Sequence, residues 1–319
     1  MVRRRIKFDE ITRKNNDERN KSLSLQLIIN LKRKLMTVNE VLCNAYEPRF
    51  NNLLEHLEKD GIKSQVQPPF LLGIERFTEE GNKTGNEEWY TNANLKVMFF
   101  GRETHIWGWD EESSVSDGCV EQYEKFYGRN YREVNDGNKR GVFFLVDSED
   151  KLSKTPFFAT GLNGIMSGIE ERLKEVCPDK HAAYLWNNIS KLSSANGTSA
   201  STTAHEYEKK YFHVIPSEIN ILKPDVIIFF TGFDAKYDEY INENFNDESG
   251  YPLIGSETLQ GVDESDVVKL NIKGIPLAYK THHPQTTHVN NKTIDGAERW
   301  KHYNAILDDI KAHLGEIIK

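Results

Sequence analysis

Between Val38 and Lys59 the apolar residues Leu42, Tyr46, Phe50, Leu53, Leu54 and Leu57 recur at three- and four-residue intervals, which predicts an amphipathic helix. Pro48 predicts a kink or a split in it, and Gly61 after Asp60 reads as its C-terminal cap. Four short apolar runs have another character: Leu95–Phe100 (LKVMFF), Ala182–Ile189 (AAYLWNNI), Val226–Phe230 (VIIFF) and Pro276–Tyr279 (PLAY). Each is too short for a core helix and ends in glycine or polar residues, the pattern of a strand buried on both faces. Helical patterns lie between and after them, over Phe157–Val176, in a segment ending near Leu222, and over Gly296–Ile318.

The remaining segments are polar. Residues 110–155 read as an insertion carrying a helix near 119–127. Residues 193–203 read as a Ser/Thr/Asn loop, and 234–265 give only weak signals. Residues 1–21 are charged and without period, so they are expected to be disordered or loosely helical. Residues 22–35 (SLSLQLIINLKRKL) suit a short amphipathic helix.

Helices alternating with buried strands predict an α/β fold of three layers, α/β/α, around a central, mostly parallel sheet. Ligands of such sheets bind beyond the carboxyl ends of the strands. Polar residues follow three of the strand ends: Gly101-Arg102-Glu103-Thr104-His105, Asn187-Asn188, and Thr281-His282-His283-Pro284-Gln285. With parallel strands they converge on one edge.

Composition narrows the classes. A hydrophobic fraction of 38% with 11% aromatic residues allows a packed core. No apolar run reaches the roughly 18 residues of a membrane span, and the basic MVRRRIKF start lacks the apolar region of a signal peptide, so a cytoplasmic protein is expected. Cys43, Cys119 and Cys177 are too scattered for a disulfide framework, a zinc site or an iron–sulfur site. The net charge of −8 argues against a protein that coats nucleic acid over its whole surface. Residues 1–35 are nevertheless strongly basic, and an arm such as RRRIK either neutralises phosphates or is simply solvated.

At the strand ends the chain resembles the uracil-DNA glycosylase superfamily. The residues that carry the resemblance are FFGRETH at 99–105, KTPFFATGLNGIM at 154–166, LWNNISK at 185–191, KPDVIIFFTG at 223–232 and THHPQ at 281–285, in the family's order, over roughly residues 95–310. Departures are equally specific. Thr104 stands where the family has Pro, Gln285 where it has Ser, and His105 where it has Tyr or Gly; the cysteines of the family's iron–sulfur branch are absent. The resemblance implies a basic extension over 1–35 and a glycosylase-like domain over 36–319. It also implies a monomeric enzyme that takes modified or damaged DNA and needs neither cofactor nor metal.

An enzyme that cleaves an N-glycosidic bond must flip the nucleotide out, read its base, direct water at the sugar and stabilise charge on the leaving base. The resemblance assigns Glu103 to the water and His283 to the leaving base as the catalytic pair. It places Gly101, Arg102, Thr104 and His105 around the base and Phe157 as a stacking platform. Either Asn187 or Asn188 would read the base edge, since strand alternation sends them to opposite faces and only one can enter the site. Gln285, Thr286 and Lys292 fall where the family's DNA-contacting loop follows its last motif. Trp107 and Trp109 would line the pocket or cover the sheet. For each position a structural alternative stands beside this one: a solvated loop carboxylate, a strand-ending turn, a satisfied core Asn or His, a core Phe.

No HExxH or CxxC spacing supports a metal, although His282, His283 and His288 are close in sequence, and no phosphate loop or nucleophile elbow is present. The resemblance makes the leading expectation a DNA glycosylase acting on uracil or another modified base, in repair or in defence against modified DNA. The alternatives are a non-catalytic protein that binds nucleic acid or a nucleotide on the same fold, and a hydrolase or transferase of a small substrate. Fold alone does not choose among them.

Overall fold

The first helix of the described chain, α1 (Val38–Lys59), begins at a capping box in which Thr37 and Glu40 exchange side-chain and backbone hydrogen bonds. The Glu87 carboxylate adds a second cap, accepting from Val38 N at 2.6 Å and Asn39 N at 2.7 Å, where the helix dipole favours negative charge. Leu42, Tyr46, Phe50, Leu53 and Leu57 form its buried stripe. The helix runs through Pro48 without being split, and Gly61, at φ +67°, follows its C-terminus as the spacing predicts.

The computed structural model describes residues 36–69, 71–74, 87–103, 163–195, 201–289 and 292–318, and the backbone of 131–133 and 142–144. The predicted helices at 22–35 and 119–127, and the first residues of the one expected from Phe157, lie outside the described residues.

A six-stranded sheet forms the centre, in the order β4 (Ala182–Asn188), β1 (Leu95–Gly101), β5 (Val226–Phe229), β8 (Leu277–Thr281), β7 (Val267–Ile272) and β6 (Leu253–Thr258). Its parallel half consists of β1, β4, β5 and β8. The strand expected at Pro276–Tyr279 thus begins one residue later and extends to Thr281. A short pair, β2 (Tyr131–Glu133) and β3 (Val142–Phe144), forms a separate antiparallel ribbon. The segment read as weak holds α6 (Ala235–Asn244) and the edge strand β6 (Leu253–Thr258); β7 (Val267–Ile272) follows it. β7 pairs antiparallel with both β6 and β8, so the sheet is mixed and mostly parallel.

Helices flank this sheet. On one face Tyr184 of β4 donates to Glu170 of α3 (Asn163–Val176) at 2.8 Å, and Phe230 meets Tyr303 of α7 (Gly296–Ile317) edge-on. Phe99 stacks between Tyr184 and Phe230 on this side, and Trp186 lies on Phe230. On the other face Phe100 stacks on Phe229, and both meet Phe245 edge-on at the end of α6. There Asn187 of β4 reaches Glu218 of α5 (Ile215–Leu222). Apolar residues on both faces explain why these strands are uninterrupted apolar runs in the sequence. A four-residue helix (α2, Glu88–Thr91) precedes β1, and a two-stranded hairpin, β9 (His288–Val289) with β10 (Lys292–Thr293), precedes α7.

The turn after β4 is held by a buried carboxylate. Glu208 of α4 (Thr202–Tyr211) accepts from Lys191 N at 2.9 Å, Leu192 N at 3.0 Å and the Ser190 hydroxyl at 3.3 Å. Burial pushes its pKa up to about 7 against those hydrogen bonds. The folded protein therefore keeps a proton that the unfolded chain has released above about pH 4.5, and stability contributed by this group falls as pH rises toward about 7. The expected change is on the order of 3 kcal/mol. Glu170, also pushed up to about 7 by burial, adds a second share of the same sign. Urea unfolding of Glu208→Gln should show roughly half the parent's loss of stability between mildly acidic and mildly alkaline buffer. A slope equal to the parent's would mean that Glu208 is ionised in the fold throughout.

Candidate strand-end site

Three parallel strands end together and are tied by one side chain and one main-chain hydrogen bond. Arg102, the first residue beyond β1, crosses the end of β5 and donates from Nε to the Thr231 carbonyl at 3.0 Å. The next residue makes room for it. Gly232 has φ +74°, and a Cβ there would stand 3.1 Å from the Arg102 guanidinium. Gly232 N in turn donates to the Thr281 carbonyl at the end of β8, at 3.0 Å. β1 lies between β4 and β5, which follow it in the chain on opposite sides. This is the reversal point beyond which open parallel sheets bind ligands.

Glu103 follows Arg102 and accepts a short hydrogen bond from the Tyr237 hydroxyl in the first turn of α6. The Tyr237 ring also carries the Arg102 guanidinium, 5.1 Å from its centroid. Burial first, then the Glu103 hydrogen bond, pushes the phenol well above its usual range. It stays a donor, and it fixes one oxygen of the carboxylate.

At the end of β8, His282 and His283 take different roles. His282 is buried and its Nε2 lies 3.1 Å from Asp266 Oδ1, with Phe233 edge-on to the ring. His283 is partly buried, and its Nδ1 accepts from the Gln285 backbone N–H at 3.2 Å. A neutral ring in that arrangement carries its proton on Nε2. Burial, then the positive charges of Arg102 and Arg299, lower the His283 pKa to about 3. Arg299 of α7 reaches the same turn, donating to the Thr286 carbonyl at 2.9 Å, while Thr286 N donates to His283 O at 2.8 Å. The strand end thus places an uncharged imidazole within the field of two guanidinium groups.

The two asparagines of β4 separate as alternation requires. Asn187 is fully buried on the α5 side, where its amide donates to Glu218 Oε2 at 2.8 Å and its carbonyl takes hydrogen bonds from Lys191 Nζ and Asn188 N. Asn188 turns to the other face, accepts from Trp186 Nε1 at 3.1 Å and abuts Gly101. A Cβ on Gly101 would meet the Trp186 ring at 2.2 Å and Asn188 Oδ1 at 2.9 Å. The close approach that calls for glycine there is packing against β4, a reason independent of any ligand.

Of the residues anticipated from the sequence, Arg102, Glu103 and His283 are thus grouped at one strand-end region, with Gly101 and Asn188 at its β4 side. Thr104, His105, Trp107, Trp109 and Phe157 lie outside the described residues. Gln285 is exposed and enters through its backbone alone, and Thr286 serves the Arg299 contact. Lys292, expected at a phosphate, bridges Asp266 at 2.8 Å and Glu298 at 2.7 Å. Tyr237, Gly232, Asp266 and Arg299 were not anticipated. Tyr237 sits in a segment whose helix signals are Asp234 as N-cap and the short stripe Tyr237, Tyr240 and Ile241, and its link to Glu103 spans 134 residues. Among the described residues no helix is long and apolar enough to cross a membrane. Comparison with protein-family models, with curated proteins and with solved structures gives no match.

Proposed function

We propose that this chain is a monofunctional DNA glycosylase on a three-layer fold of the uracil-DNA glycosylase kind, acting as a monomer on uracil or another modified base flipped from DNA. The observation that carries the reading is the β8 end, where the neutral His283 ring, its Nδ1 taken by Gln285 N–H, lies in the field of Arg102 and Arg299. A departing base takes the electron pair of the broken C1′–N bond and becomes an anion. A fixed N–H donor flanked by positive charge stabilises that anion more than the neutral bound base, and so lowers the barrier. Glu103, held through one oxygen by Tyr237, orients the water and takes its proton as the new C1′–O bond forms. Asn188, at the β4 side of the same strand ends, is the better placed of the two asparagines to read a base edge, because Asn187 belongs to an internal network.

The test is incubation of the purified protein with oligonucleotides carrying a panel of modified bases, followed by alkaline cleavage at abasic sites. Strand scission at one modified position supports the reading. Affinity for the DNA without any base release favours the second one, a binding protein on the same fold. Neither reading draws on Lys292 or Asn187, whose polar groups are taken up by internal partners.

A further inference from the structure

On the far side of His282, two carboxylates and an imidazole converge around a single ammonium group. Asp266, just before β7, and Glu298, in the first turn of α7, both hold Lys292 Nζ, through Asp266 Oδ2 at 2.8 Å and Glu298 Oε1 at 2.7 Å. His302 lies one helical turn beyond Glu298 and therefore on the same face of α7. Its Nε2 stands 3.6 Å from that Asp266 oxygen and 3.4 Å from that Glu298 oxygen. The ring is 1% exposed, yet Nε2 has no hydrogen-bond partner among the described residues. A buried ring nitrogen aimed at two carboxylates without bonding either one is unusual, since buried polar atoms are nearly always paired.

We propose that Asp266, Glu298 and His302 form a binding site for one divalent transition-metal ion of the zinc class, and that Lys292 is a tethered cation occupying it when the metal is absent. The three ligand atoms lie within 4.8 Å of one another, and two of the separations can be compared with a metal site directly. Ligands bonded to one tetrahedral ion at about 2.0–2.2 Å lie roughly 3.3–3.6 Å apart, and those are the two histidine–carboxylate distances. Charge fits too. The two carboxylates carry −2 and Lys292 returns only +1, whereas a dication balances the pair and gives the orphaned nitrogen its partner. Burial lowers the His302 pKa, which favours the neutral form that ligates a metal. His282 Nε2 on Asp266 Oδ1 supplies the outer hydrogen bond that orients the ligand carboxylate. Lys292 projects from the short β9–β10 hairpin and is 46% exposed on its side chain, so it can leave without unpacking the core. Lys301, 3.9 Å from Glu298 Oε1, is the other cation at the rim. The site uses neither Glu103 nor His283 and does not depend on the proposed glycosylase activity.

Zn2+ titration by calorimetry, with Co2+ absorption as the spectroscopic readout, tests the site on the full chain. One equivalent should bind the parent, and Lys292→Met should bind it at least about tenfold more tightly, because removing the tethered competitor raises the fraction of competent sites. In the Lys292→Met background, Glu298→Gln and His302→Gln should each abolish that equivalent and the Co2+ band. Glu298→Gln alters a partly exposed side chain and leaves the backbone N–H that Asp295 caps, so it keeps the proposal testable if the histidine variant misfolds. Absence of saturable binding in both parent and Lys292→Met, or binding that Glu298→Gln leaves unchanged, would overturn the site. Equal affinity of parent and Lys292→Met would overturn the role given to the lysine.

Discussion

His283→Ala is expected to slow base release by about 10²–10³, the scale seen when one donor to a developing oxyanion is removed, while affinity for the same DNA changes little. The asymmetry follows from when the donor acts. Before bond cleavage the base is neutral, and a neutral Nε2–H gains little from it. As the glycosidic bond breaks, negative charge gathers on the base beside that donor and the Arg102 and Arg299 charges, so the interaction is strongest in the transition state. The pH profile gives a second check. With its pKa lowered to about 3, His283 stays neutral from weakly acid to alkaline solution and contributes no limb near the usual histidine value. Phe157→Ala provides the contrast, since stacking exists before cleavage and its loss should weaken DNA binding, by roughly 1–3 kcal/mol. Single-turnover rates and binding isotherms for the two variants separate these effects. An alanine at 283 that binds and reacts like the parent would make His283 a structural residue and favour the binding protein.

The largest effect on stability is expected at Lys191. Its ammonium and the Glu218 carboxylate form an ion pair of 2.7 Å, both side chains fully buried. Around them Asn187 bridges the two, Tyr46 donates to Glu218 Oε1 at 2.6 Å, and Leu72 N donates to the Tyr46 hydroxyl at 3.2 Å. Lys191→Met leaves a carboxylate in the core without its cation, and the loss should be about 3–5 kcal/mol in urea or thermal unfolding. Most of that loss reflects the stranded charge rather than the net worth of the pair. The double variant Lys191→Met/Glu218→Gln should therefore recover a large part of it. A single variant within about 1 kcal/mol of the parent would show that Glu218 is protonated or hydrated in the fold, and that the network does not hold Asn187 as described.

The expectations that held are those that depend on local pattern. A parallel strand buried on both faces must be apolar throughout, and the runs before Gly101, Asn188, Phe230 and Thr281 carry that signature in a handful of consecutive residues. The stripe of α1 and its glycine cap are equally local. β7 was legible in principle, since Val268, Leu270 and Ile272 alternate inward, but polar neighbours on both sides masked it. β6 gives no such signal, because an edge strand exposed along most of its length has no core to impose a pattern.

The polar residues at the strand ends were visible as candidates, and their assignments were not. Alternation dictates that Asn187 and Asn188 diverge. Which way each points depends on Glu218, Lys191 and Met98 on one face and on Trp186 and Gly101 on the other. Nothing near Glu103 in sequence announces Tyr237, and nothing near Lys292 announces Asp266. The sequence by itself determined the buried strands, the long helices and the set of polar groups at one edge, because burial imposes its period on neighbouring residues. Only the tertiary structure decided which of those groups bond to one another, because that depends on the crossing of strands and helices far apart along the chain.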